Sequence, residues 1–219
     1  MLTQSEENYL KVIYNLWGTN KGVVSTNAVA DAIKSKAASA TDMIQKLSKK
    51  GLVNYHKYQG VAPSTKGEKE ALNVIRKHRL WEVFLVQKLK FKWDEVHEVA
   101  EQLEHVASPM LIEQLDIFLG RPKYDPHGDP IPSADGHMES NPSITLDMLP
   151  TGDRCKMICA KDSSSDFLLY LNKIKISLGA EIEILDFFEY DGSYSVRVDN
   201  SSPMTLSNKV AANMYIEKL

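Results

Sequence analysis

Three histidines and three glutamates crowd into two short stretches of the chain, as His78 and Glu82, then His97, Glu101, Glu104 and His105. Spacings of three and four place each set on a single helical face. In the first stretch the stripe Ala71, Ile75, His78, Glu82, Leu85 and Leu89 sets an imidazole and a carboxylate within an otherwise apolar row. Polar groups on an inward face need partners, or their desolvation costs several kcal/mol. A divalent cation meets that need, because it neutralises the carboxylates and takes the lone pairs of the imidazoles. A single His–Glu pair four residues apart reads as a surface ion pair, but six such residues on two consecutive helices do not. Carboxylate and imidazole without thiolate suit Mn(II) or Fe(II) better than a closed structural zinc site. The run His97-Glu98-Val99-Ala100-Glu101 is not the HExxH zinc-protease motif, since its fifth residue is glutamate. Cys155 and Cys159, without a CxxC spacing or a neighbouring histidine, read as buried reduced thiols on a strand.

The elements that must carry these residues follow from periodicity. Leu10, Ile13, Tyr14 and Trp17 predict an amphipathic helix over about residues 5–17. Ser25 or Thr26 caps a second helix that buries Val29, Ala30 and Ile33. A third helix turns Met43, Ile44 and Leu47 inward and ends at Gly51. LVNYHKY and VAPS follow as two short strands around a tight turn at Gln59-Gly60. This order is the winged helix-turn-helix pattern. A long helix runs from Ser64 to Lys88, another from near Asp94 to about Ala107, and a third opens at Ser108-Pro109 and stops at Gly120. The Pro-, Gly- and Asp-rich segment RPKYDPHGDPIPSADGHMESNPS reads as loop. After Gly152 the short runs KMICA, AEIEILDF, YSVRVD and NMYIEKL, with a helix at FLLYLNKI, suggest a small β-barrel. The expected fold is therefore mainly α with a small β part. A winged-helix domain spans 1–72, a helical domain with its Pro-rich linker spans 73–140, and a β domain spans 151–219.

The 219 residues, 43% hydrophobic and 25% charged, describe a globular chain. No apolar run approaches the ~18 residues of a membrane span. The N-terminus carries carboxylates where a signal peptide needs basic and then apolar residues, so a cytoplasmic protein is expected. The net charge of −3 conceals a division. Residues 1–70 hold ten lysines, no arginine and six acids, for +4, and the remainder sums to −7. A basic first third suits double-stranded DNA.

RKHRLWEVFL (76–85), VHEVAEQLEH (96–105) and PHGDPIP (126–132), behind a winged helix, resemble the diphtheria-toxin-repressor family of metal-dependent transcriptional regulators. The resemblance covers nearly the whole chain, including a C-terminal SH3-like, FeoA-like domain. It implies a homodimeric repressor, activated by Mn(II) or Fe(II), that controls metal-uptake genes. Carried over by position, a regulatory metal site would use Asn8, Glu101, Glu104 and His105, and an ancillary site would use His78, Glu82 and His97. Glu101 stands where iron-responsive members have cysteine, which favours Mn(II). Asn8 departs from the aspartate of the manganese branch, and Lys11 replaces a glutamate that serves the two-metal site of short members. Asp125 stands where related regulators carry a cysteine ligand, and Asp162 or Asp166 takes the place of the ligand that longer members draw from the SH3-like domain. The recognition helix would begin at about Lys36 and present Ala38, Ser39, Thr41, Asp42 and Gln45 to the major groove, with Lys36, Lys46, Lys49, Lys50, Lys57 and Lys66 directed to phosphate.

Two rivals belong to other classes. Paired carboxylate and imidazole helices also build dinuclear metalloenzymes. That reading supplies no nucleophile or phosphate-binding loop, and it leaves the winged helix without a purpose. The other rival, a metal-independent regulator with a small-molecule effector, leaves the six clustered ligands unexplained.

Overall fold

A computed structural model describes residues 2–20, 22–92, 95–138, 143–162 and 164–219. The chain divides into two compact units: Met1–His78 with Gln102–Ala107 and Pro132–His137, and Arg79–Glu101 with Ser108–Ile131 and Met138–Leu219. Among the described residues, no helix is long and apolar enough to cross a membrane.

The first unit opens with helix α1 (Gln4–Asn20), α2 (Thr26–Ile33) and α3 (Ala37–Lys49), followed by the hairpin β1 (Val53–His56) and β2 (Gly60–Pro63). A capping box starts α1: the Thr3 N–H donates to Glu6 Oε2 at 2.9 Å, and the Glu6 N–H donates to Thr3 Oγ1 at 3.3 Å. Ser25 caps α2 by accepting the Ala28 N–H at 3.1 Å, as its sequence position predicts. Leu10, Ile13, Val29, Ile44, Leu47 and Val61 close one core under these elements. The β1–β2 turn lies one residue earlier than expected. Tyr58 adopts the left-handed conformation at φ 68°, and Gly60 is already the first residue of β2.

Helix α4 (Thr65–Gln87) carries residues of both units. Its first turn presses on the backbone just before β1, where a Cβ on Gly67 would fall 1.8 Å from the Leu52 carbonyl oxygen. The inward stripe is realised at Ala71, Ile75, His78, Glu82 and Leu85, all buried. Leu89 departs from it: the helix stops at Gln87 and Leu89 is exposed.

Helix α5 (Val96–Leu103) lies in the second unit up to Glu101 and in the first from Gln102, and α6 (Pro109–Phe118) belongs to the second unit. Asp94, the expected start of α5, lies outside the described residues. The helix ends four residues short of Ala107, so Glu104 and His105 sit in the turn beyond it rather than on its face. Ser108 caps α6 through the Leu111 N–H, with proline in the first turn. Leu80, Val83, Ile112, Leu115 and Ile131 form the helical core, flanked by Trp81 and Phe84, whose rings meet edge to face at 5.7 Å.

The C-terminal part holds β3 (Arg154–Ala160), α7 (Ser165–Lys173), β4 (Glu181–Phe188), β5 (Ser193–Val198), β6 (Met204–Leu206), α8 (Asn208–Ala211) and β7 (Met214–Lys218). The strands form one antiparallel sheet in the order β6-β5-β4-β3-β7. The brief elements β6 and α8 were not anticipated, being three and four residues long. Cys155 and Cys159 are buried free thiols on β3, and burial pushes them up to about 11 and about 12.

Candidate metal centre and nucleic-acid interface

In the first unit, α1, α4 and the turn after α5 bring two carboxylates, two imidazoles and two ammonium groups together. Glu104 is fully buried, and its Oε2 accepts from His78 Nδ1 at 2.6 Å. The Lys11 ammonium donates to both of its oxygens, at 2.6 and 2.8 Å. Burial pushes the Glu104 carboxyl up, but His78 and Lys11 outweigh it and hold the group below the usual range. Beside this pair, His105 Nδ1 lies 2.5 Å from Glu7 Oε2, and the nearly buried Lys77 lies 3.7 Å from Glu7 Oε1.

In the second unit, Glu82 on α4 is the centre of a second group. His97 Nδ1 of α5 lies 3.2 Å from its Oε1, and His127 Nδ1 lies 3.7 Å from its Oε2. One ligand atom each from Glu82, Asp125 and His127 falls within 4.8 Å of the others. The loop that carries the last two is built by Asp125 itself, whose Oδ1 accepts the N–H groups of His127 and Asp129 at 2.8 and 2.9 Å. Gly128 closes this turn at φ 93°, so near β3 that a Cβ would lie 2.7 Å from the Ala160 oxygen. Arg79 steadies the loop from α4, with Nε 3.5 Å from Asp125 Oδ2 and a guanidinium bond to the Pro130 carbonyl. Asp125 is buried and pushed up to about 7, by desolvation first and then by the Glu82 carboxylate, with Arg79 opposing. Two adjacent buried carboxylates flanked by two imidazoles are a donor set that a divalent cation would neutralise and satisfy. The residues present fit Mn(II) or Fe(II).

The DNA-facing candidates lie on α3 and the β1–β2 turn. Lys36, Ala38, Ser39, Asp42, Gln45, Lys46 and Lys57 are exposed. Lys36 occupies the N-cap position of α3 and makes no side-chain capping bond, so small residues surround the open first turn. The hydroxyl of Thr41 donates to the Ala37 carbonyl at 2.8 Å. Lys46 and Lys50 are tied to the buried carboxylate of Glu6, at 3.1 and 2.6 Å, so part of their charge holds α3 to α1.

Three family models match successive parts of the chain: the iron dependent repressor N-terminal DNA binding domain over residues 1–61, the iron dependent repressor metal binding and dimerisation domain over 64–133, and the FeoA domain over 144–218. An uncharacterized HTH-type transcriptional regulator of Methanocaldococcus jannaschii is 35% identical over 118 residues, which is 54% of this chain and 94% of that protein. The chain belongs to the iron-dependent, or diphtheria-toxin, repressor family. The iron-dependent repressor IdeR of Mycobacterium leprae is 33% identical over 60% of this chain and 56% of its own length. A solved manganese-dependent transcriptional repressor in complex with manganese covers 98% of this chain and 100% of its own, at 36% identity and a TM-score of 0.62.

The family's three-part layout, a winged-helix part, a helical part and an SH3-like sheet, is the expected fold class. Membership also decides between the regulator and the metalloenzyme, since the family's members are DNA-binding regulators. Within each unit the expected ligands make the following pairs. His78 meets Glu104, while Glu82 meets His97. Asn8 is exposed, and the α1 residue that reaches His105 is Glu7. Glu101 is exposed, with Oε1 3.5 Å from His97 Nε2 one turn away on α5. Asp162 accepts the Ser164 N–H at 2.9 Å, and Asp166 is exposed in the first turn of α7; neither joins a ligand group among the described residues. Sequence reasoning passed over Glu7, Lys77, Arg79 and His127. For His127 a signal existed: the Asp-Pro-His-Gly-Asp turn places an imidazole between two carboxylates.

Proposed function

We propose that the chain is a metal-dependent transcriptional repressor that binds an operator as a homodimer in the cytoplasm, with metal-uptake genes as its targets. The observation that carries this reading is the convergence of Glu82, Asp125 and His127 in a chain that begins with a winged helix of the iron-dependent repressor family. Glu82, His97, Asp125 and His127 would hold one Mn(II) or Fe(II), with Glu101 orienting the His97 ring. Glu7, His78, Glu104 and His105 would hold another. At the first group the bound ion would supply the positive charge that lets the buried carboxylates of Glu82 and Asp125 stay ionised side by side.

The residues of the chain do the rest. Glu7 and Glu104 join α1, the first helix of the winged unit, to the turn after α5, so the state of this group bears on the DNA-binding unit. A population shift toward the DNA-competent spacing of two winged helices, about 34 Å apart, is limited by the difference in metal affinity between the two states. Lys36 and the open first turn of α3 would meet a phosphate, Ala38, Ser39, Asp42 and Gln45 the base edges, and Lys46 and Lys57 the flanking backbone. Helix α6 supplies an apolar surface for the partner subunit, with Met110 76% and Phe118 62% exposed.

The test is a duplex selected from a random pool with the protein and Mn(II), then titrated by fluorescence anisotropy with Mn(II), with Fe(II) under anaerobic conditions, and with chelator. Tight binding with either metal and weak binding with chelator supports the proposal. Equal binding in all three would overturn it.

A further inference from the structure

The group around Glu104 contains its own cations. Glu7 and Glu104 are each faced by a lysine, Lys77 at 3.7 Å and Lys11 at 2.6 Å. The two ammoniums match the charge of the two carboxylates. Lys11 is placed most decisively, because its ammonium spans both oxygens of a carboxylate that has no exposure to solvent. Charge-assisted bonds of this length are among the stronger polar contacts in proteins.

We infer that Lys11 is a resident counter-cation of Glu104, in direct competition with the regulatory metal, and that it raises the metal concentration at which the chain responds. The inference rests on the reading of Glu104 as a ligand. A divalent ion coordinated by Glu104 takes at least one lone pair that the ammonium now uses. The displaced ammonium, tethered on α1, remains close enough to repel the incoming charge. A lysine suits this part because its single charge sits on a flexible stem that can swing aside, whereas a metal bond is made at a fixed position. His78 stays behind as a second partner, so Glu104 is not stranded when Lys11 moves.

The experiment is an Mn(II) titration of the full chain, followed by the electron paramagnetic resonance signal of free hexaaqua Mn(II), with folding checked by circular dichroism. The variants are Lys11→Met, Lys11→Arg, Glu104→Gln and the Lys11→Met/Glu104→Gln double variant, all in an Asp125→Asn background that suppresses the second group. Lys11→Met should bind Mn(II) about tenfold tighter or more, Lys11→Arg should stay near the parent, and Lys11→Met should bring no gain once Glu104 is Gln. In chelator, Lys11→Met should also lower the melting temperature while enlarging the rise that Mn(II) produces. Lys11→Gln carries the same expectation where Lys11→Met does not fold. Equal or weaker Mn(II) binding by Lys11→Met, with Glu104→Gln impaired, would overturn the inference alone. Parent-like binding by Glu104→Gln would overturn the ligand reading and the inference with it.

Discussion

Glu82 and Asp125 are 43 positions apart in sequence, yet a carboxylate oxygen of each lies within 4.8 Å of the other, both residues being buried. Each raises the cost of ionising its neighbour, and Arg79 offsets only part of that cost. The arrangement is poor as a purely structural device, because a buried carboxylate beside another favours a proton unless a cation is supplied.

The direction of the Asp125 shift sets the pH behaviour. A carboxyl raised to about 7 keeps its proton in a range where the unfolded chain has lost it. Its contribution to stability in chelator therefore falls as pH climbs from the ordinary carboxylate range toward 7, and Mn(II) affinity rises across the same interval. Asp125→Asn should weaken Mn(II) binding about tenfold or more and flatten its pH dependence. The turn should survive, because the amide oxygen can still accept the His127 and Asp129 N–H groups. Isothermal titration between pH 6 and 8 reads both effects, and an unchanged pH profile in Asp125→Asn would count against the assignment.

Glu6 behaves in the opposite sense. Burial would push it up, but Lys50, the Thr3 backbone and Lys46 hold it down at about 2. A depressed carboxyl stabilises the fold above its unfolded value, and that contribution disappears as pH falls from about 4.5 to about 2. Glu6→Gln should therefore lower the melting temperature by several degrees at pH 7, and the gap from the parent should narrow below pH 4.5. Melting curves at pH 7, 4.5 and 3 make the comparison. A gap that stays constant would mean that the Lys46 and Lys50 pairs contribute nothing.

The winged helix was readable because its signals are local: the Ser25 cap, Gly51 after α3, and apolar residues at helical spacing. The ligand groups are readable as a set, and Glu82 meets His97 as their shared assignment implies, but the contacts of α1 are not readable. Assignment by position joins Asn8 to Glu104 and His105, whereas α1 turns Glu7 toward His105 and sends Lys11 to Glu104. The rotation of one helix against a segment about 95 positions later is a tertiary quantity, and no periodicity within α1 contains it. The early end of α5 at Leu103 has the same character, since Glu104 leaves the helical face to take its partners from α1 and α4.

Gly67 shows where backbone approach overrides helix propensity. Alanine within a helix gains roughly 1 kcal/mol over glycine, yet a Cβ here would lie 1.8 Å from the Leu52 oxygen. Gly67→Ala should cost about 2 kcal/mol or more net, as overpacking does. Gly51→Ala is the control: nothing lies within 4 Å of its Cβ position, and only the left-handed φ of 71° is at stake, worth roughly 1 kcal/mol. Urea denaturation should rank Gly67→Ala as the less stable of the two.

Met110 separates a dimer surface from ordinary exposure. Its side chain is 76% exposed at the start of α6, in the same helix as the exposed Leu111, Ile117 and Phe118. Single exposed apolar residues are common, but four on one short helix form a patch that a monomer has no reason to keep. Within one chain, Met110→Glu touches little and should change stability by no more than about 0.5 kcal/mol. Placed in a two-fold interface, the same substitution sets a charge in each subunit against an apolar face, and both copies suffer at once. Sedimentation velocity should show the parent as a dimer and Met110→Glu as a monomer. Operator binding should weaken because two linked winged helices become two independent ones. Mn(II) binding at the group around Glu82 should persist, since each of its donors comes from one chain. A parent that sediments as a monomer with Mn(II), or a Met110→Glu variant that remains dimeric, would remove α6 as the dimer surface.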